Sequence, residues 1–498
     1  MSFRDDKVYN LDTCGYVLAG IPSLYSKYTI DEDFPFKQNI KLMGQNTIGK
    51  GLYSYGSELI NLSKRKTKPK INDYNKKINK YIKQIKRKRL DFTPNMKFFL
   101  DSGGFQAIGG YLNKEQMKDF AHQYIDFLIE YKDDYDHAFI LDLPAFDSQL
   151  KSTKDIYDIN KYSYQLFHDL PLDIQHKLIY VYHFGLPRVN DIWYRFFQEG
   201  VADGIETDYY SIGGLVGRRP SDTNLPYINY ALPLYNTLKY NIDKGRKYMK
   251  FHILGVGTYY LGVFFAFLKK LLKDKYDFVL DPTFDATSPI KHLGQMKVYQ
   301  VFNDYNLLDT AESFEELMQI KLRTVSISSM YDQTIERFGE YDKMDNSRNK
   351  IIESICWMDK YSQTESGTII EPITIDKIYD DEHKYKKESY LPMMMYDCFI
   401  YDILSTLACR ILDKSGLDFS KLDDYNVNKE VSNLLYKILD NLTPNKSLEL
   451  YQRKIMKSME LFMNLDSPDK ANNIINHYLN VDETSNNDTR ENQSILTF

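Results

Sequence analysis

The alternation of apolar and polar positions changes texture near residue 300. Before that point, short apolar runs alternate with longer amphipathic stretches. DTCGYVLAG (12–20), KFFLD (97–101), HAFILDLP (137–144), KLIYVYHFG (177–185), DGIE (203–206), YSIGGLVG (210–217), KFHILGVG (250–257) and YDFVLDPTF (276–284) predict strands. Between them, KEQMKDFAHQYIDFLIEYK (114–132) and GVFFAFLKKLLKD (262–274) carry apolar residues at helical spacing. Residues 41–60, glycine-punctuated and partly polar, predict an irregular crossover. Strand–helix alternation over this length argues for parallel βα units, and an eightfold barrel is their natural closure. The predicted fold class is therefore α/β: a (β/α)8 barrel of the TIM type with insertions, followed by a mainly helical C-terminal region.

Beyond residue 300, AESFEELMQIKL, YLPMMMYDCFIYDILSTLACRIL and VSNLLYKILDNL are leucine- and methionine-rich and helical in pattern. This divides the chain into a barrel over 1–300, a helical domain over 301–480 and a polar, disordered tail over 481–498. One stretch within the first part stands out. SKRKTKPKINDYNKKINKYIKQIKRKR (63–89) holds 13 Lys/Arg against one acid, Asp73, with Ile71, Tyr74, Ile78, Ile82 and Ile85 at three-to-four spacing. It predicts a helical insertion with a densely basic outer face, suited either to phosphate contacts or simply to solvent.

Bulk composition narrows the classes. The net charge of −5 does not suggest a nucleic-acid binder, although local fields outweigh averages. Four cysteines (Cys14, Cys356, Cys398 and Cys409) are widely spaced with no CxxC pair, so no disulfide framework or zinc cluster is legible. The N-terminus lacks an apolar signal region, and the longest apolar run, YYLGVFFAFL (259–268), is too short to span a bilayer. No membrane association is expected. The heavy use of Lys, Asn, Ile and Tyr suits an AT-rich genome such as a virus's. The expected compartment is cytoplasmic, the host's if the source is viral.

The stretch with the clearest chemistry is KFFLDSGGFQAIGG (97–110). A short buried strand ending in an acid and a tight glycine turn puts Asp101 at a strand's C-terminal rim, where α/β enzymes keep their chemistry. Ser102 begins the turn. Gly103 and Gly104 allow close approach, Phe105 offers a stacking face and Gln106 a paired donor and acceptor. The competing reading is a turn with no chemistry.

DSGGFQ resembles the signature of the tRNA-guanine transglycosylase superfamily. SIGGLVG (211–217) is similar to that family's base-cradling loop, and HILGVGT (252–258) to the glycine-bearing strand that follows it. The resemblance covers roughly residues 95–290. It implies a base exchange at a glycosidic carbon, in which one carboxylate attacks C1′ and a second group moves protons on the leaving and arriving bases. The resemblance makes Asp101 the acid/base group. The family's nucleophile lies on the last barrel strand, where this chain has Asp277, Asp281 and Asp285. FDATSP (284–289) resembles the family's Phe-Asp step and favours Asp285, while YDFVLDPT leaves the other two open.

By the same resemblance, Asp142 stands at the base-reading aspartate, though an acid ending a strand is often a helix cap. His183 stands where the family usually has glutamine, and could instead be a packed core histidine. Gly213, Gly214 and Leu215 would supply backbone donors, and Arg218 and Arg219 could meet a phosphate or form a solvated rim.

The family's tRNA enzymes carry a CxCxxC zinc site, and nothing similar occurs here. The chain more closely resembles the DpdA-like branch of phages and bacteria, which inserts 7-deazaguanine bases into DNA. That resemblance implies a pentosyltransferase acting on guanine-containing DNA with a flipped target base. Its second substrate would be a free 7-deazaguanine base, such as the 7-cyano form, with no cofactor and no metal. The alternatives are a zinc-less tRNA-guanine transglycosylase, a non-catalytic nucleic-acid-binding subunit and a base-excising hydrolase.

Overall fold

The computed structural model describes residues 15–19, 50–56, 75–80, 82–83, 97–104, 112, 114–143, 153–183, 207–213, 228–255, 259–286, 297–301, 313–317, 319 and 322–326; toward the C-terminus it describes 408–409, 411–414, 417–420, 429–437, 455–456 and 458–483. Eight parallel strands follow the chain order around a closed barrel: β1 (Gly15–Ala19), β2 (Lys50–Ser54), β3 (Lys97–Asp101), β4 (His137–Phe139), β5 (Leu178–His183), β6 (Tyr209–Gly213), β7 (Tyr248–Ile253) and β8 (Val279–Ala286). Each strand pairs with the next, and β8 returns to β1 with Asp285 opposite Val17.

Helices cross between the strands and bury their apolar faces on the sheet. α1 (Lys114–Glu130) joins β3 to β4, α2 (Thr153–His168) lies between β4 and β5, α3 (Ile228–Asp243) precedes β7, and α4 (Tyr259–Tyr276) joins β7 to β8. α4 is the most apolar stretch of the chain, and Val263 to Leu268 are all buried. It supports the strand that carries Asp285, with Phe265 stacked on Phe284.

One strand expectation is corrected. Residues 41–60, expected to be an irregular crossover, contain β2, the second barrel strand. Its pattern is concealed because Lys50 and Ser54 lie on the same side as Leu52, in register with Lys97, Asp101 and Phe99 respectively. Those three partners alternate onto the barrel interior, so polar side chains occupy inward positions that a periodicity argument reserves for apolar ones. DGIE (203–206), also expected to be a strand, lies outside the described residues; β5 pairs directly with β6.

Of the basic run expected to form a helical insertion, residues 75–80 and 82–83 are helical and lie between β2 and β3, where a βα unit has its crossover helix. Ile78 and Ile82 are fully buried, whereas Lys76, Lys80 and Lys83 are exposed. Asn75 accepts a hydrogen bond from the Tyr55 hydroxyl and donates to the Gln123 carbonyl at 3.1 Å. Ile71, Tyr74 and Ile85 lie outside the described residues, as do all the basic residues before Lys76.

Past the barrel, β9 (Lys297–Val301) and β10 (Leu322–Ser326) form an antiparallel pair, so the region from 301 expected to be mainly helical also contains a strand. Helical residues follow within 408–414 and 429–437, and α5 spans Pro468–Glu483. The disordered tail expected from 481 thus begins no earlier than 484, and 484–498 lie outside the described residues. The segment before α5 packs on α4: Tyr276 Oη donates to Met463 O at 2.9 Å and accepts from Leu465 N at 3.2 Å, and Phe264 meets Phe462. Among the described residues no helix is long and apolar enough to cross a membrane.

Candidate active site

Inward positions along the strands divide the barrel into a polar floor, an aromatic middle and an acidic rim. The middle holds Phe99, His137, Phe139, Tyr209 and His252, with Phe99 edge-on to Tyr209 at 6.1 Å and Phe139 edge-on to His252 at 5.1 Å. Two residues further along β3 and β8, the same alternation puts Asp101 and Asp285 at the C-terminal ends of their strands. An open rim over a packed interior is where βα barrels assemble reactive groups.

Asp101 is the last residue of β3. Its carbonyl accepts from Tyr55 N at 2.8 Å, which fixes the strand end against β2. Part of Asp101 reaches solvent, but its carboxyl is surrounded by barrel atoms, and this burial is the main reason it is pushed up to about 7. The carboxylates of Asp142 and, less strongly, Asp285 add to the rise, while hydrogen bonds from Ser54 and the Gly103 N–H oppose it. Asp101 therefore holds its proton near neutrality and can release it.

The turn after Asp101 leaves no room for side chains. Gly103 has φ +81°, and a Cβ there would lie 2.3 Å from Gly56 N. A Cβ on Gly104 would lie 1.7 Å from the Asp142 carbonyl oxygen. Ser102 is fully buried and its hydroxyl reaches Asp142 Oδ1 at 3.4 Å. Asp142 itself follows β4 in a segment held from behind by α2. Asn160 donates to Leu143 O at 3.0 Å and accepts from Leu143 N at 2.8 Å, and Ser163 donates to Leu141 O at 3.0 Å. These clamps occupy the neighbouring backbone and leave the buried Asp142 side chain to meet Ser102 and press on Asp101. α2 begins at Thr153, well beyond Asp142, so this acid does not cap it.

Asp285 is buried near the end of β8. Its Oδ1 accepts from Gly255 N at 2.7 Å and lies 3.1 Å from His252 Nε2. Gly255 sits in the left-handed region, φ +71°, which turns its N–H back toward β8. The other two candidate acids are elsewhere. Asp277 precedes β8 at the opposite end of the barrel, exposed and paired with Lys273 at 3.0 Å and Lys247 at 3.6 Å. The hydrogen bond from Lys273 holds its carboxyl below the usual range. Asp281 pairs in register with Lys250 near the floor, where its Oδ2 accepts from Tyr248 Oη at 3.4 Å.

Position 183 ends β5 in register with Gly213, the last residue of β6, so both reach the same rim as Asp101. Phe105, Gln106, Gly214, Leu215, Arg218 and Arg219 lie outside the described residues. The structure thus brings Asp101, Ser102, Gly103, Gly104, Asp142 and Asp285 together. It adds groups that sequence pattern alone does not assign, namely Ser54, His252, Gly255, Thr283 and Tyr209. A histidine on the inward side of an apolar strand, shortly before a glycine, was the available signal for His252. Among the described residues no cluster of three or more His, Cys, Asp or Glu could hold a metal ion. No family model matches the chain, and no curated protein matches it in sequence.

Proposed function

We propose that the chain is a DNA guanine transglycosylase, a pentosyltransferase that replaces guanine by a 7-deazaguanine base through a covalent aspartyl-glycosyl intermediate. The observation that carries this reading is the pair of unlike carboxyls at one barrel rim. Asp101 holds a proton to about pH 7 by burial, and Asp285 is seated on a backbone N–H and a histidine nitrogen.

In this scheme a carboxylate oxygen of Asp285 attacks C1′ of a flipped deoxyguanosine. The C1′–N9 bond breaks, and the Asp101 proton passes to the departing guanine. The glycosyl ester is then opened by the N9 of the incoming base, which returns its proton to Asp101 and frees Asp285. One glycosidic bond replaces another, so the exchange needs no external energy source. Asp142 reads the N1–H and amino edge of the base, and Gly103 and Gly104 let the flat ring approach the backbone. His183, Phe105, Gln106, Gly213, Gly214 and Leu215 complete the base contacts in this reading, within a full (β/α)8 arrangement.

DNA is favoured over tRNA by the absence of the CxCxxC motif in the sequence. In this reading the lysines and arginines at 64–70, a run of like charge in the sequence, supply phosphate contacts. The test is exchange of radiolabelled guanine into guanine-containing duplex DNA and, in parallel, into tRNA. Label in DNA alone is expected. Label in tRNA alone would install the zinc-less tRNA enzyme instead, and label in neither, with free guanine accumulating, would indicate base excision.

A further inference from the structure

Building on that two-carboxylate reading, we propose that His252, backed by Thr283 and Tyr209, is the positioning residue that fixes the Asp285 carboxylate and leaves Oδ2 as the attacking oxygen. The four side chains form one unbroken line through the barrel interior. His252 Nε2 lies 3.1 Å from Asp285 Oδ1, His252 Nδ1 lies 2.7 Å from Thr283 Oγ1, and Thr283 Oγ1 lies 2.7 Å from Tyr209 Oη. All four residues are buried, and His252 and Thr283 are nearly sealed, so water does not compete for these partners.

Donor and acceptor counting gives the line a direction. An ionised carboxylate can only accept, so in the neutral imidazole that the proposal requires, the His252 proton is on Nε2 and Nδ1 is an acceptor. Thr283 must then give its single proton to Nδ1. Its alternative acceptor, Phe251 O, is further away at 3.4 Å. The Thr283 oxygen in turn accepts from Tyr209, whose hydroxyl burial keeps protonated far above neutrality. Every proton in the chain therefore points toward Asp285. Phe139 stands edge-on to the imidazole at 5.1 Å and Phe99 lies 6.3 Å from it, so the ring is packed among aromatic neighbours.

Oδ1 is thereby held twice, by His252 and by the Gly255 N–H, and both donors come from β7 and its exit turn. The described residues offer no hydrogen bond to Oδ2. A carboxylate with one oxygen saturated and the other open presents a single nucleophilic atom in one rotamer. Preorganisation of this kind lowers the barrier to attack rather than strengthening substrate binding.

The experiment uses the full chain with 15N-labelled histidine. The His252 resonances are assigned by their loss in His252→Gln. An Nε2–H tautomer is expected at pH 7, with Asp285→Asn moving the Nε2 resonance and Thr283→Val moving Nδ1. In guanine exchange on duplex DNA, His252→Phe keeps the ring packing but loses the donor. It should lower kcat about 100-fold with the KM for DNA within about twofold, and Thr283→Val should lower kcat about tenfold. His252→Gln, which restores an N–H donor, should recover about tenfold of the loss.

An Nδ1–H tautomer, resonances indifferent to Asp285→Asn, or wild-type kcat in folded His252→Phe would each overturn the proposal. If wild-type protein exchanges no base, the functional reading falls separately, and the resonances still decide the arrangement. If His252→Phe does not fold, the wild-type spectrum and Thr283→Val carry the test.

Discussion

Gly104 lies so close to Asp142 that a methyl group on its Cα would sit 1.7 Å from the Asp142 carbonyl oxygen. The Asp101 turn and the segment bearing the second acid are thus one packed unit. The close approach is between two backbones, and neither can yield as a flexible side chain would.

Gly104→Ala should therefore cost on the order of 3 kcal/mol or more and separate Asp142 from Asp101. Gly245→Ala is the control: it has φ +73° but open space around it, so only the left-handed backbone is penalised, by about 1 kcal/mol. Denaturant unfolding of the two variants compares them directly. Equal losses would mean that conformation, and not contact, governs Gly104.

The raised Asp101 carboxyl has a consequence for stability. In the unfolded chain it ionises near its ordinary value of 3.8, but in the folded barrel it does so at about 7. Between these values the unfolded state has released a proton that the folded state keeps. This contribution favours folding fully at low pH and is lost as pH rises toward 7. Asp101→Asn removes it, so the variant should gain in Tm relative to wild type as pH increases from 4 to 7 and hold that gain above 7. A Tm difference independent of pH would place the ionisation elsewhere. In exchange assays, kcat/KM of the wild type should show an alkaline limb near pH 7, where the proton needed by the leaving base is lost.

The three acids of the last strand make opposite predictions. Asp285→Ala should abolish exchange and any covalent protein–DNA species seen on a denaturing gel. Asp277→Asn and Asp281→Asn should retain exchange within about twofold, because one is exposed beyond the strand start and the other lies at the barrel floor. A covalent species that survives Asp285→Ala and disappears in Asp281→Asn would reverse the assignment.

The basic run divides at Asn75. Replacing Lys64, Arg65, Lys66, Lys68 and Lys70 with glutamine should weaken DNA binding. The slope of log affinity against log salt should flatten by about 0.9 for each phosphate no longer neutralised. Replacing Lys76, Lys80 and Lys83 should change the slope little, since these residues project from a crossover helix that is buried through Ile78 and Ile82. Equal effects from the two sets, measured by fluorescence anisotropy over a salt series, would make the whole run one grip.

Much of the barrel was legible because most strands are apolar runs that end in glycine or an acid, as in KFFLD and KFHILGVG. β2 was not, because inward positions in a barrel interior can be polar, and Lys50 and Ser54 disguise the strand. At the site, Asp101 could be picked out from its own neighbours in sequence, whereas Asp142 and the preference for Asp285 rested on motif resemblance. Asp281 and Asp285 share one face of β8, and depth along the barrel separates them. His252 acquires its meaning from Thr283 and Asp285, about 30 residues away, and no local pattern encodes that pairing.

The seam between β1 and β8 joins the first described strand to the last barrel strand, with Val17 opposite Asp285. Asp285 takes its hydrogen bonds from β7 and its exit turn, but closing β8 onto β1 joins chain segments separated by nearly the whole barrel sequence, and loop-closure entropy opposes such contacts. A nascent chain released before β8 would already carry Asp101 and Asp142 but no Asp285 to complete the pair, and no closed sheet edge. Bringing Asp285 to the rim that carries Asp101 and Asp142 therefore waits on the longest-range strand pairing of the barrel.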